Sequence, residues 1–228
     1  MEQEYVLQQV LERYDIDNVR LTYHLNDLNT LSLDSKFVLE LLRLFEDDAE
    51  AERENFAEFS LHTIVDYVQR THKYYLGKKL PEIEQSIELM QRDYADNHPL
   101  LNILRQFYAA YKADLTKHIQ LEERYVLPHI RLIATASEKG YNAAKFLELA
   151  KNYSLRSFIE SHTDTEGDLQ KVRNTILEYS PVATNTTLYR VLLTQLELFE
   201  KDLSVHAIIE DEILIPFAIA MEDALLAK

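Results

Sequence analysis

The sequence predicts an all-α protein whose main part is an antiparallel four-helix bundle, built from a duplicated helical hairpin. Three observations support this class. Apolar residues recur every three or four positions along most of the chain, which is the spacing of amphipathic helices. Only 3 glycines and 5 prolines occur among 228 residues, so tight turns are few. A pattern of histidine and glutamate also occurs twice, in similar surroundings.

Residues 1–54 are predicted to form a small N-terminal helical unit ahead of the bundle. Its helices are the segments EYVLQQVLERYDID and KFVLELLRLFEDD. Asp34 or Ser35 is placed to cap the second helix, since both residue types accept hydrogen bonds from free N–H groups at a helix start. We interpret the acidic stretch Glu46 to Glu54 as a linker or a solvated continuation of this helix.

The bundle is predicted over residues 55–228, with four long helical regions. The first covers roughly residues 60–92 and bends near Pro81, which cannot donate a backbone hydrogen bond. The second begins at the segment NHP and runs to roughly residue 135, where SEKGYN ends it. The third covers 142–180 in one or two pieces, and the last helix follows residues 183–185.

The composition excludes several classes of function. A formal net charge of −15 lacks the basic footprint that nucleic-acid binding needs, and no basic run is present to attract a membrane surface. With no cysteine, the chain has no disulfide, thiolate nucleophile or cysteine-ligated iron–sulfur cluster. Any metal must therefore be bound by histidine and carboxylate. The absence of a secretion signal and of a long apolar run predicts a cytoplasmic protein.

Two segments of the bundle share a spacing that helix formation alone does not require. HIQLE runs from His118 to Glu122, and HAIIE runs from His206 to Glu210. In both segments a proline follows ten residues after the histidine, and an Asp-Leu pair begins four residues before it. Upstream of each lies a lone histidine in a helical run, His72 46 residues before His118 and His162 44 residues before His206. The chain thus repeats a hairpin that supplies His and then His-x-x-x-Glu.

This pattern predicts a metal centre inside the bundle. Residues four apart on an α-helix lie about 40° apart around the axis and roughly 6 Å along it, so a histidine and a glutamate can bind the same ion. Four histidines and two glutamates provide two imidazoles for each of two ions, with both carboxylates available as bridges. Imidazole with carboxylate suits iron or manganese. One such pair is usually a surface contact; it is the duplication among apolar neighbours that favours a metal.

The same residues resemble the hemerythrin-like (HHE cation-binding) superfamily, and among its members the di-iron proteins for repair of iron centres, the iron–sulfur cluster repair proteins. The resemblance covers about residues 59–220, and DLTKHIQLEERYVLPHI and DLSVHAIIEDEILIPFA carry it best, with ESHTDTEGDLQKVR and the segment around His72. It implies a hemerythrin-like bundle holding two non-haem, carboxylate-bridged iron ions. His118, Glu122, His206 and Glu210 match iron-ligand positions, the glutamates as bridges.

The other two ligand positions depart from the family spacing by one residue. Family members have proline eight residues after the first-helix ligand, whereas Pro81 follows His72 by nine; the match at His162 is shifted in the same way. Either a one-residue π-bulge keeps both histidines as ligands, or Lys73 and Thr163 occupy these positions and half of the site is lost. Because histidine is rare in this chain and takes the same shifted position twice, we predict the intact site.

The resemblance implies a role in oxidative or nitrosative stress, with damaged iron–sulfur proteins and a small ligand such as dioxygen or nitric oxide as partners. One alternative is reversible carriage of dioxygen or nitric oxide; carriers typically add a histidine where Glu166 stands, four residues after His162. Another is a metal-free bundle that serves in sensing or interaction. The N-terminal unit resembles the short first domain of repair proteins but lacks its cysteine pair. We interpret Tyr74 and Tyr75 mainly as packing residues.

Overall fold

The computed structural model describes residues 2–16, 34–45, 53–93, 99–151, 154–156, 173 and 186–227. Within these ranges the regular structure is helical and contains no β-strand, which confirms the all-α class. No helix in this part of the chain is both long and apolar enough to cross a membrane. The α-helices are α1 (Glu2–Glu12), α2 (Ser35–Phe45), α3 (Leu61–Tyr74), α4 (Leu80–Asp93), α5 (Pro99–Leu121), α6 (Leu127–Glu138), α7 (Ala143–Ala150), α8 (Thr186–Ala207) and α9 (Ile215–Leu226).

Three π-helical segments join successive α-helices into longer helical runs. In two of them the closing backbone bond spans five residues: the Leu80 N–H donates to the Tyr75 carbonyl, and the Ile215 N–H donates to the Glu210 carbonyl. Each segment ends two residues before a proline, where the α-helical hydrogen-bond pattern is interrupted in any case. The segments are π1 (Tyr75–Lys79), π2 (Glu122–Val126) and π3 (Ile208–Leu214), followed by Pro81, Pro128 and Pro216.

The chain divides into two compact units, each with its own apolar core. Unit 1 comprises Met1–Thr71, Tyr125–Glu160 and Val205–Lys228, and unit 2 comprises His72–Arg124 and Ser161–Ser204. The predicted separation of residues 1–54 as a unit of their own stays a prediction. The antiparallel four-helix topology also stays a prediction, because most of the expected third helix lies outside the described residues.

An aromatic cluster holds the N-terminal helices in the core of unit 1. The ring of Phe37 in α2 lies edge-on to Phe56, Phe59 and Tyr67, with centroids 6.0, 5.1 and 5.8 Å away. Such edge-to-face contacts add about 0.5–1.5 kcal/mol each beyond the area they bury. Asp34 caps α2, since its Oδ1 accepts hydrogen bonds from the N–H groups of Lys36 and Phe37 at 2.9 and 3.3 Å. Of the two predicted caps, Asp34 is the one used.

The guanidinium of Arg13 is buried in the same core, with only 3% of the residue exposed. Its Nε donates a hydrogen bond to Thr71 Oγ1 at 3.0 Å, and its carbon lies 5.8 Å from the Phe45 ring centre and 5.6 Å from that of Tyr67. A buried cation needs such partners, because its desolvation is otherwise unfavourable. These contacts tie the segment after α1 to the end of α3, within unit 1.

The predicted break at SEKGYN is present between α6 and α7. Gly140 has φ 63°, a left-handed conformation that glycine adopts without strain, and the Tyr141 N–H closes the turn on the Ala136 carbonyl. Asn142 then caps α7 by accepting a hydrogen bond from the Lys145 N–H at 2.9 Å. Lys151, at φ 51°, ends α7. The remainder of the predicted third helix lies outside the described residues, apart from residues 154–156 and 173.

Candidate metal centre

Helices α3 and α5 bring two histidines of unit 2 to one buried glutamate. His72 lies near the end of α3, and its Nε2 is 3.4 Å from Oε2 of Glu122, the first residue of π2. His118 lies one turn before Glu122, and its Nε2 is 2.7 Å from the other carboxylate oxygen, Oε1. The side chain of Glu122 is 1% exposed. Each oxygen of one buried carboxylate therefore faces a different imidazole.

The second nitrogen of His72 also has a carboxylate partner. Glu123 places Oε1 2.9 Å from His72 Nδ1. A hydrogen bond from Nδ1–H to a carboxylate fixes the tautomer of the ring and leaves the Nε2 lone pair available, which is the usual arrangement of a metal-binding histidine. The pattern of spaced ligands did not single out Glu123. The only sequence signal for it is the doubled glutamate that begins π2.

The separation of these atoms fits a bound metal ion. Two ligand atoms that are each about 2.1 Å from an ion and at right angles to one another are about 3 Å apart. The imidazole–carboxylate distances at Glu122, 2.7 and 3.4 Å, lie on either side of this value. Imidazole nitrogen and carboxylate oxygen are also the donors that iron, manganese and zinc accept. The residues present therefore fit a non-haem metal by chemistry and by spacing.

The π1 segment lies in the stretch where this chain has one residue more than the family spacing. It occupies Tyr75–Lys79, between His72 and Pro81, and a π segment accommodates an inserted residue without ending the helix. His72 is buried, whereas its neighbour Lys73 is exposed. The structure therefore favours His72 over Lys73 at this position. The corresponding pair of the second repeat, His162 and Thr163, lies outside the described residues.

Unit 1 contains the second His-x-x-x-Glu pair. His206 Nε2 is 3.4 Å from Glu210 Oε2, and their side chains are 10% and 4% exposed. Glu210 belongs to π3, so a π segment accompanies both repeats of the motif as well as His72. Such segments are rare and occur frequently at functional sites. Both repeat pairs belong to groups of His and Glu side chains that are able to hold a metal ion.

A buried tyrosine–aspartate pair accompanies the histidines of unit 2. The hydroxyl of Tyr75 donates a hydrogen bond to Asp202 Oδ1 at 2.8 Å, and both residues are at most 2% exposed. The interpretation of Tyr75 as a packing residue is thus incomplete. Asp202 belongs to the Asp-Leu pair of the second repeat, while its counterpart Asp114 is exposed. The sequence repeat marked this position without indicating its partner.

Comparison with known proteins gives one distant relative to set beside this geometry. No family model matches the chain. The chain is 17% identical over 152 residues to a protein of Staphylococcus haemolyticus named iron-sulfur cluster repair protein ScdA. The match covers 67% of this chain and 64% of that protein. This similarity agrees with the repair-protein resemblance of the motifs.

Proposed function

We propose that the chain is a non-haem di-iron protein of the iron–sulfur cluster repair type, acting in the cytoplasm under oxidative or nitrosative stress. The observation that carries the proposal is Glu122, whose two oxygens face the imidazoles of His72 and His118 in a buried position. The repair function named for the distant relative supports the choice of iron and of this class. Damaged iron–sulfur proteins and a diatomic ligand are the proposed partners.

The proposed centre uses both repeats. The ligands would be His72, His118 and Glu122 from the first repeat and His162, His206 and Glu210 from the second, the two glutamates being the bridges that the resemblance implies. Support comes from the sequence repeat and from the burial of Glu122, His206 and Glu210, with the His118 side chain 17% exposed. A di-iron centre, when bound, supplies redox chemistry and open positions for dioxygen or nitric oxide.

Iron content tests the proposal directly. We expect the purified protein, reconstituted anaerobically with ferrous iron and freed of excess metal, to retain two iron ions per chain by elemental analysis. The Glu122→Gln/Glu210→Gln variant keeps side-chain size but removes both bridging charges, and it should retain less than one. Glu84→Gln, which alters an ion pair with Lys112, is the matched control and should behave as the unaltered protein. Equal iron in the unaltered protein and the double variant would contradict the proposal.

A second measurement separates repair from carriage of a diatomic ligand. The diferrous protein is exposed to dioxygen and then returned to vacuum while its absorption spectrum is followed. A band that appears and disappears reversibly favours carriage. Repair predicts instead that the iron-loaded protein restores activity to an iron–sulfur enzyme inactivated by nitric oxide, and that the iron-free protein does not.

A further inference from the structure

Both ends of π1 are held by buried tyrosine hydroxyls. At its first residue, the Tyr75 hydroxyl donates to Asp202 in α8 at 2.8 Å, and the Phe199 ring lies edge-on to Tyr75 at 5.1 Å. Directly after its last residue, the Leu80 carbonyl accepts a hydrogen bond from the Tyr108 hydroxyl in α5 at 2.7 Å. Tyr75, Leu80 and Tyr108 are each at most 1% exposed. Two helices of unit 2 thus hold this segment from either end.

Both phenols act as donors. Tyr75 faces a carboxylate oxygen, which accepts only, and Tyr108 faces a backbone carbonyl. Burial, with a smaller contribution from the Glu84 carboxylate, raises the pKa of the Tyr108 phenol well above its ordinary value. The phenol therefore keeps its proton and its hydrogen bond. A hydrogen bond from a buried hydroxyl to a backbone carbonyl or a carboxylate also fixes the orientation of the donor relative to its acceptor, which apolar packing does not do.

The width of π1 decides which way His72 points. The π1 segment accommodates one residue more than an α-helical turn, and each residue of an α-helix turns the chain by about 100°. Converting π1 to an α-helical turn at the same chain length would therefore rotate α3 relative to α4 by about 100°. His72 lies three residues before Tyr75, on the same side of the helix. A change in π1 therefore moves the imidazole away from Glu122 while the remainder of unit 2 keeps its core.

We propose that Tyr75 and Tyr108 are positioning residues that keep π1 in its wide form and so hold His72 against Glu122 and Glu123. The consequence for metal binding rests on the proposed function, while the consequence for the metal-free protein does not. Neither tyrosine touches the ion in this arrangement. Each acts through the backbone of π1.

The test compares Tyr75→Phe and Tyr108→Phe with Ser86→Ala. Ser86 also donates a hydroxyl hydrogen bond in unit 2, a part-buried one to the Glu82 carbonyl at 3.1 Å, but within α4 and away from π1. In the metal-free proteins, hydrogen exchange is followed at the Leu80 amide, which donates to the Tyr75 carbonyl across π1. Affinity for Co²⁺, a spectroscopic substitute for Fe²⁺, is measured by titration, and unfolding in urea is measured in parallel.

We expect each phenylalanine variant to accelerate exchange at Leu80 and to weaken Co²⁺ binding about 10-fold, with an altered cobalt spectrum, as is typical when a group that orients a metal ligand is removed. Ser86→Ala should change neither. Unchanged Leu80 exchange in both phenylalanine variants overturns the inference, as does Co²⁺ binding no weaker than that of Ser86→Ala. If the unaltered protein binds neither Co²⁺ nor iron, the proposed function fails, and the exchange rates alone still decide the role of the tyrosines.

Discussion

The imidazole of His72 has a carboxylate on each side. Glu122 lies 3.4 Å from Nε2 and Glu123 lies 2.9 Å from Nδ1, so two adjacent glutamates contact opposite edges of one ring. Their tasks differ because their environments differ: Glu122 is 1% exposed and faces two histidines, whereas Glu123 is 33% exposed. The more exposed residue is suited to orient the ring, and the buried one is suited to bind the ion.

This division of tasks predicts different effects for two changes at Glu123. Glu123→Ala removes the acceptor at Nδ1 and should weaken Co²⁺ or Fe²⁺ binding about 10-fold, the usual effect of losing a partner that orients a ligand. Glu123→Gln keeps an acceptor oxygen and should lose less than Glu123→Ala. Metal titration of both variants checks this, with the exposed Glu88→Ala as control. Equal affinity in Glu123→Ala and the unaltered protein would show that Glu123 does not orient His72.

At the scale of the elements, a π segment explains how the spacing between His72 and Pro81 fits into a continuous helical run. A histidine and a glutamate four residues apart approach each other within any α-helix, so the pairs at His118 and His206 follow from local geometry. The position of His72 does not, because its distance from Pro81 is one residue too long for an uninterrupted match to the family spacing. The π1 segment takes up that residue. The direction of His72 is therefore a property of the whole run from α3 to α4.

Deleting Gly77 tests this role of π1. The deletion should convert π1 to an α-helical turn and restore the eight-residue spacing, because it removes the one residue that π1 takes up; His72 then keeps its direction toward Glu122. We expect iron content by elemental analysis and helix content by circular dichroism to equal those of the unaltered protein.

The matched control for this deletion is Gly77→Ala. A Cβ at Gly77 meets no atom within 4 Å, so alanine fits and chain length is kept. The alanine variant should hold as much iron as the unaltered protein, and alanine favours helix over glycine by about 1 kcal/mol. Loss of iron in the deletion variant alone would contradict the proposed role of π1.

At the scale of the whole molecule, stability depends on the apolar core of each unit and on the polar side chains buried with it. In unit 1, His129 in α6 and Glu222 in α9 form one buried polar contact, with Nε2 and Oε1 2.7 Å apart and both side chains 5% exposed. The contact lies beyond the prolines that follow π2 and π3, and it joins the helices that continue from them. Breaking a buried pair from one side leaves the other group without that partner in an apolar core.

This pair predicts a large loss of stability on single substitution and a smaller one on double substitution. His129→Ala should lower the free energy of unfolding by about 3–5 kcal/mol, because the Glu222 carboxylate loses its buried partner. A His129→Leu/Glu222→Met variant should recover most of the loss. Urea unfolding measures all three proteins. Arg156→Ala breaks the exposed pair with neighbouring Asp223 and should change stability by less than about 1 kcal/mol. A small effect of His129→Ala would show that the pair contributes little.

Features that depend on neighbouring positions could be predicted from the sequence alone. Apolar spacing predicted the helices, Asp34 was correctly predicted as one of two possible caps, SEKGYN marked the break after α6, and the His-x-x-x-Glu pairs followed from helical spacing. That these residues bind a metal stays a prediction, and so does the role of His162 as a ligand. In each confirmed case the interacting residues are only a few positions apart, so the backbone conformation alone brings them together.

The distant side chains that contact His72 and π1 could not be predicted from the sequence and are known from the folded chain. Glu123 is 51 residues from His72, and Asp202 is 127 residues from Tyr75. No spacing rule links such positions, because the rotation of each helix about its axis is set by packing against its neighbours. The sequence allowed either His72 or Lys73 at the ligand position. Packing and the π1 bulge together placed the imidazole inside and the lysine at the surface.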